Sequence, residues 1–167
     1  MALPGNVQLQ FAGRTDVGLV REHNEDNLMV LDLSARLQPP LDGGAQRMEV
    51  GSRGALLVVC DGMGGAAAGE VASRMAVDTI FEVMSAGKPP KDRDDFARRL
   101  VRAVEEAGSR IFTSAKLDRT RRGMGTTSTV AGLVDKTLFV GQVGDSRAYL
   151  LRGAEFKNIT KDQSLVR

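Results

Sequence analysis

The run Leu56-Leu57-Val58-Val59-Cys60-Asp61-Gly62-Met63-Gly64-Gly65 ends an apolar stretch on one carboxylate and follows it with a glycine-rich turn. The apolar residues are too few for a helix of their own and read as a strand buried on both faces. A carboxylate at the end of such a strand is costly to desolvate unless a cation or hydrogen-bond donors meet it. The glycines let the backbone approach a ligand, and the Gly62 carbonyl is a further hard oxygen for a metal. Taken alone, Asp61 reads equally well as a helix cap in a strand-to-helix turn.

Two more acidic segments sit where extended chain meets a turn. Arg21-Glu22-His23-Asn24-Glu25-Asp26 precedes the apolar Leu28–Leu31, and Gly144-Asp145-Ser146-Arg147 follows Leu138–Val143. Carboxylates gathered from several strand ends make the oxygen-rich cage that suits Mg²⁺ or Mn²⁺. Two further segments, Gly123-Met124-Gly125-Thr126-Thr127 and Thr160-Lys161-Asp162-Gln163-Ser164-Leu165-Val166, complete an ordered set of five motifs. Together they resemble the metal-dependent protein phosphatases of the protein phosphatase 2C-like (PPM) family, in its bacterial form. The likeness runs from Phe11 to the C-terminus.

The resemblance implies hydrolysis of phosphoserine and phosphothreonine by attack of a metal-activated water. It implies two Mn²⁺ or Mg²⁺ ions bridged by Asp61, which is therefore both catalytic and a ligand, with the Gly62 carbonyl ligating one of them. Glu25 and Asp26 complete that side, directly or through water, and Asp145 contributes to a third, weaker position. Arg21 grips the substrate phosphate through a planar fork that lysine does not reproduce. The implied partners are phosphorylated proteins, the substrates of a serine/threonine kinase. His23 is expected to be a surface side chain. Met63 and Ala66 stand where relatives often carry histidine. Ser146 and Arg147 read as structural, and Gly123-Met124-Gly125 as a turn allowing close contact beneath the site. Glu70 stays open between a supporting contact and a first-turn acid favoured by the helix dipole.

Composition narrows the alternatives. The chain has 167 residues, enough for one buried core, and 42% of them are hydrophobic. A net charge of +2, no tryptophan and one tyrosine argue against nucleic acid as a partner. Cys60 is the only cysteine, which fits a reducing cytoplasm and core burial. No stretch is apolar for long enough to span a membrane.

These residues need elements to position them. Strands are expected over 7–12 and 27–33, at the Asp61 run, over 126–134, at 137–143, 147–151 and 155–158. Residues 34–53, with Pro39-Pro40 and Gly43-Gly44, read as one exposed loop. Val71, Met75, Thr79, Ile80, Val83 and Met84 mark the buried face of a first helix, stopped by Gly87 and Pro89-Pro90. Phe96, Leu100, Val101, Val104, Ala107, Ile111, Phe112 and Ala115 mark a second. Segregated strands and helices indicate an α+β fold with antiparallel sheets. The resemblance sharpens this to two antiparallel β-sheets packed as a sandwich flanked by helices (α-β-β-α). It also implies that 1–167 is a single phosphatase-like domain, incomplete at its C-terminus, because relatives carry two more metal-binding aspartates further on. Two other readings stay open: a truncated or degenerate domain that binds phosphorylated partners without turnover, and a purely structural α+β domain.

Overall fold

A computed structural model of the chain describes residues 7–64 and 68–163. Gly65, Ala66 and Ser164-Leu165-Val166, named above, lie outside the described residues. The strands are β1 (Gln8–Phe11), β2 (Asp26–Asp32), β3 (Gln46–Glu49), β4 (Ala55–Met63), β5 (Gly125–Thr126), β6 (Ser128–Val134), β7 (Thr137–Val143), β8 (Tyr149–Arg152) and β9 (Glu155–Asn158). The helices are α1 (Ala68–Ser85) and α2 (Arg93–Leu117), with a short 3-10 turn over Arg119–Arg121.

The main sheet is antiparallel, in the order β2-β4-β6-β7, with β5 also paired to β4. β1 pairs with β3, and β8 with β9, as separate antiparallel ribbons. The chain is thus α+β with antiparallel sheets, as its segregated pattern indicates. Residues 34–53 are not one loop, because β3 falls inside them and takes its hydrogen bonds from β1. Nor is β4 buried on both faces. Leu56, Val58 and Cys60 point into the core, while Val59 is 49% exposed and Asp61 is exposed beside it. This is the two-residue alternation of a sheet covered fully on one side.

The covering layer is α1 and α2. On α1 the contact is made largely by small residues: Ala72, Ser73 and Ala76 are buried, whereas Val71, Met75 and Val83 are only half-buried. Short side chains let the helix lie close to the sheet, a gain that an apolar pattern alone does not reveal. On α2, Asp92 caps the N-terminus by accepting from the Asp95 amide (2.7 Å). Phe96, Leu100, Ala103, Ala107 and Ile111 form its buried stripe. Val101 and Phe112, assigned to that stripe by spacing, are instead exposed.

Phe96 centres the core at the β6–β7 end. Its ring lies 6.1 Å from that of Phe139, and a Cβ on Gly132 would come within 2.7 Å of it. Glycine at 132 therefore makes room for a ring that is 1% exposed. Phe96→Ala is expected to destabilise the chain by about 3–5 kcal/mol, read as a lower midpoint in urea unfolding.

Candidate active site

β4 carries Asp61 to the end of the sheet, and the β2–β4 register sets it directly opposite Asp26. Both side chains lie on the face turned away from the helices. Like charges directly opposed across strands are destabilising. Accordingly the Asp61 carboxyl is pushed above the ordinary carboxylate range, first by desolvation, then by Asp26 and Asp145, with Arg21 opposing. An excess of negative charge held in place by a sheet is what a divalent cation relieves.

The main chain of Asp61 is fixed by residues that motif reading passed over. Thr127 holds it twice: its amide donates to the Asp61 carbonyl (2.8 Å), and its Oγ1 accepts from the Asp61 amide (3.0 Å). The Thr126 hydroxyl donates to the same carbonyl (2.9 Å). Thr127 Oγ1 also lies 2.8 Å from Ser146 Oγ, next to Asp145. One threonine thus ties the Asp61 strand end to the Asp145 turn. On the other side, the buried Ser73 hydroxyl donates to the Glu25 carbonyl (2.6 Å) and accepts from Asn27 Nδ2 (2.8 Å). Asn24 accepts from the Asp26 amide (3.0 Å) and donates to Thr15 (2.7 Å), folding the Arg21 loop back. Thr127 and Asn24 sit inside the quoted motifs, so their positions were in view. Their roles depend on long-range bonds that spacing does not contain.

Glu25 is oriented differently from Asp26. A Cβ on Gly69, in the first turn of α1, would overlap the Glu25 carboxylate and the Gly62 carbonyl carbon. The Glu25 carboxylate and the Gly62 carbonyl are therefore neighbours across the start of α1, and glycine at 69 leaves them that space. Arg21, Glu25, Asp26, Asp61 and Gly62 all line one cleft of about 650 Å³, with Asp16, His23 and Asn24. Asp145 does not line it and reaches Asp61 only through its charge. Among the described residues no three His, Cys, Asp or Glu side chains come close enough to hold a metal by themselves. The donors that fit a cation are the opposed Asp26–Asp61 pair and the Glu25–Gly62 pair.

His23 is exposed at the cleft wall. Cys60 is buried, and burial pushes its thiol up to about 11 against the Ser128 hydroxyl. Arg147 is a structural pair, with Nε 2.9 Å and Nη2 2.5 Å from the Asp162 carboxylate. Glu70 is exposed in the first turn of α1, and its carbonyl is a further neighbour of the Ser73 hydroxyl (3.2 Å).

The family description of protein phosphatase 2C matches residues 42–165 of this chain. The serine/threonine phosphatase Stp of Listeria innocua is 33% identical over 153 residues, covering 92% of this chain and 54% of the relative. The serine/threonine protein phosphatase PstP of Mycobacterium tuberculosis is 34% identical over 158 residues, 95% of this chain and 26% of the relative. A solved structure of the catalytic domain of PstP, in complex with two manganese ions, superposes with a TM-score of 0.66 at 32% identity. That superposition covers 96% of this chain and 57% of the solved one. The chain thus spans about half the length of the Listeria relative it matches.

The raised Asp61 pKa has a sign that can be tested. A carboxyl whose folded pKa lies above its unfolded value lends stability that is present at low pH and lost as pH rises through the folded pKa. With chelator at pH 7, Asp61→Asn is therefore expected to raise Tm by about 1–3 °C over the wild-type chain. The difference narrows as pH falls toward 4, and scanning calorimetry across that range checks both statements.

Proposed function

The chain belongs to the protein phosphatase 2C family, and on that premise we propose that its cleft hydrolyses phosphoserine and phosphothreonine esters of proteins with the help of Mn²⁺ or Mg²⁺. The observation that carries this reading is the Asp26–Asp61 pair, two carboxylates opposed across β2 and β4 with a guanidinium close enough to be felt by Asp61. The manganese found in the PstP structure supports the choice of metal.

In this reading Asp61 and Asp26 hold one face of the cation site, and Glu25 with the Gly62 carbonyl the other. Asp145 contributes at longer range to a third position. Cations held there supply Lewis acidity toward phosphoryl oxygens and lower the pKa of a coordinated water. Arg21 has no acidic side chain within ion-pair distance among the described residues, so its fork is available for two phosphoryl oxygens. Thr126 and Thr127 fix the Asp61 backbone so that its carboxylate keeps its aim while charge builds nearby. No helix among the described residues is long and apolar enough to cross a membrane. A cytoplasmic location, with substrates phosphorylated by a serine/threonine kinase, belongs to the same proposal, as does the reading of 1–167 as one domain.

Binding of phosphoproteins without turnover is the second reading. The absence of a three-carboxylate cluster among the described residues favours it. Phosphate release from an aryl phosphate by this chain separates the two. Turnover that needs Mn²⁺, stops with chelator and is lost in Asp61→Ala is the expected result. A folded chain that binds phosphopeptide stoichiometrically and releases no phosphate would overturn the phosphatase reading. Arg21→Lys keeps the charge but loses the fork, and should lower kcat/KM by about 10- to 100-fold.

A further inference from the structure

Beside the acidic cleft lies a groove of about 700 Å³ between the C-terminal turns of α2 and the segment leading into β5. Its apolar floor is Met63, Phe112 and Met124, and its rim is Lys116, Arg119 and Arg122. No acidic residue lines it, in contrast to the cleft next door. Phe112 is 63% exposed and Met63 56%, an uncovered apolar surface at the mouth of a polar site. Lys116 Nζ sits 4.9 Å from the centre of the Phe112 ring. Among the described residues neither Arg119 nor Arg122 has an acidic side chain within ion-pair distance. Arg121 between them is already engaged by Asp118 (3.2 Å) and Ser114 (2.9 Å).

The groove is continuous with the cleft. Met63 lines both, and it follows Asp61 by two residues on one strand, about 7 Å away at the usual rise per residue. An extended peptide whose phosphoresidue sits at Asp61 would therefore cross the groove with the residues about two to five positions away. We infer that this groove selects phosphoprotein segments carrying acidic side chains on one flank of the phosphoresidue, with Arg119, Arg122 and Lys116 meeting the acids and Phe112 the aliphatic parts between them. The inference rests on the phosphatase reading for the position of the phosphoresidue, while the groove's charge stands independently of it.

The test uses the full chain with Mn²⁺ and fluorescent phosphoserine peptides bearing three acids on the N-terminal flank, on the C-terminal flank, or on neither. Anisotropy reports affinity, and release from the same peptides and from an aryl phosphate reports turnover. Acids on one flank only should tighten binding about tenfold, with the gain shrinking as salt rises. Arg119→Glu/Arg122→Glu should erase that gain, the neutral Arg119→Gln/Arg122→Gln and Phe112→Ala should reduce it, and aryl phosphate kinetics should stay unchanged in all of them. Equal affinity for the three peptides, equal help from acids on either flank, or a preference that survives charge reversal would overturn the inference. So would displacement of the acidic peptide by a single-stranded oligonucleotide binding equally well. Flank-selective binding without release from aryl phosphate would sink the phosphatase reading and support the groove. Turnover without flank preference would do the reverse.

Discussion

Two carboxylates forced to face each other are the constraint around which this molecule is arranged. The β2–β4 register leaves Asp26 and Asp61 no freedom to separate, because slipping by one residue would turn every core side chain of either strand to the wrong face. The apolar half of β4 therefore enforces the electrostatic tension at its end. The burial of Leu56, Val58 and Cys60 under α1 and α2 holds a charge arrangement that water alone would disperse.

The polar bonds around that pair follow from the same constraint. Thr127 grips the Asp61 backbone from both sides, and Ser73 ties the start of β2 to α1. These bonds run between elements far apart in the chain, so the cleft takes shape only once the helical layer has closed over the sheet. The site and the fold are for that reason not separable. The residues that hold the aspartates in place are also those joining β2 to α1 and β4 to the turn after β7.

Much of this was legible in the sequence. β7 and β9 fall on the residues expected, since the turns at Asp135-Lys136 and Arg152-Gly153 mark where each begins. Asp135 takes a positive φ of 51° at the turn between β6 and β7, a conformation that aspartate tolerates better than most residues. The motifs placed Arg21, Glu25, Asp26, Asp61, Gly62 and Asp145 in one set, and all of them except Asp145 line a single cleft. What spacing could not supply was pairing. β3 hid inside an apparent loop because its partner, β1, lies far away in sequence. On α1 the expected Thr79, Ile80 and Met84 are buried, while Val71, Met75 and Val83 are half-buried at the margin and the small Ala72, Ser73 and Ala76 complete the inner face. Val101 and Phe112 match the helical period of α2 but stand on its outer side, and Phe112 lines the basic groove.

Cys60 is the neighbour of Asp61 in the chain and its opposite in every physical respect. The alternation of β4 turns it into the core, where burial keeps the thiol protonated at any physiological pH. Oxidants attack thiolates, and this sulfur offers neither the charge nor the access they need. Peroxide would thus find no thiolate at Cys60, although the exposed Asp61 carboxylate belongs to the very next residue.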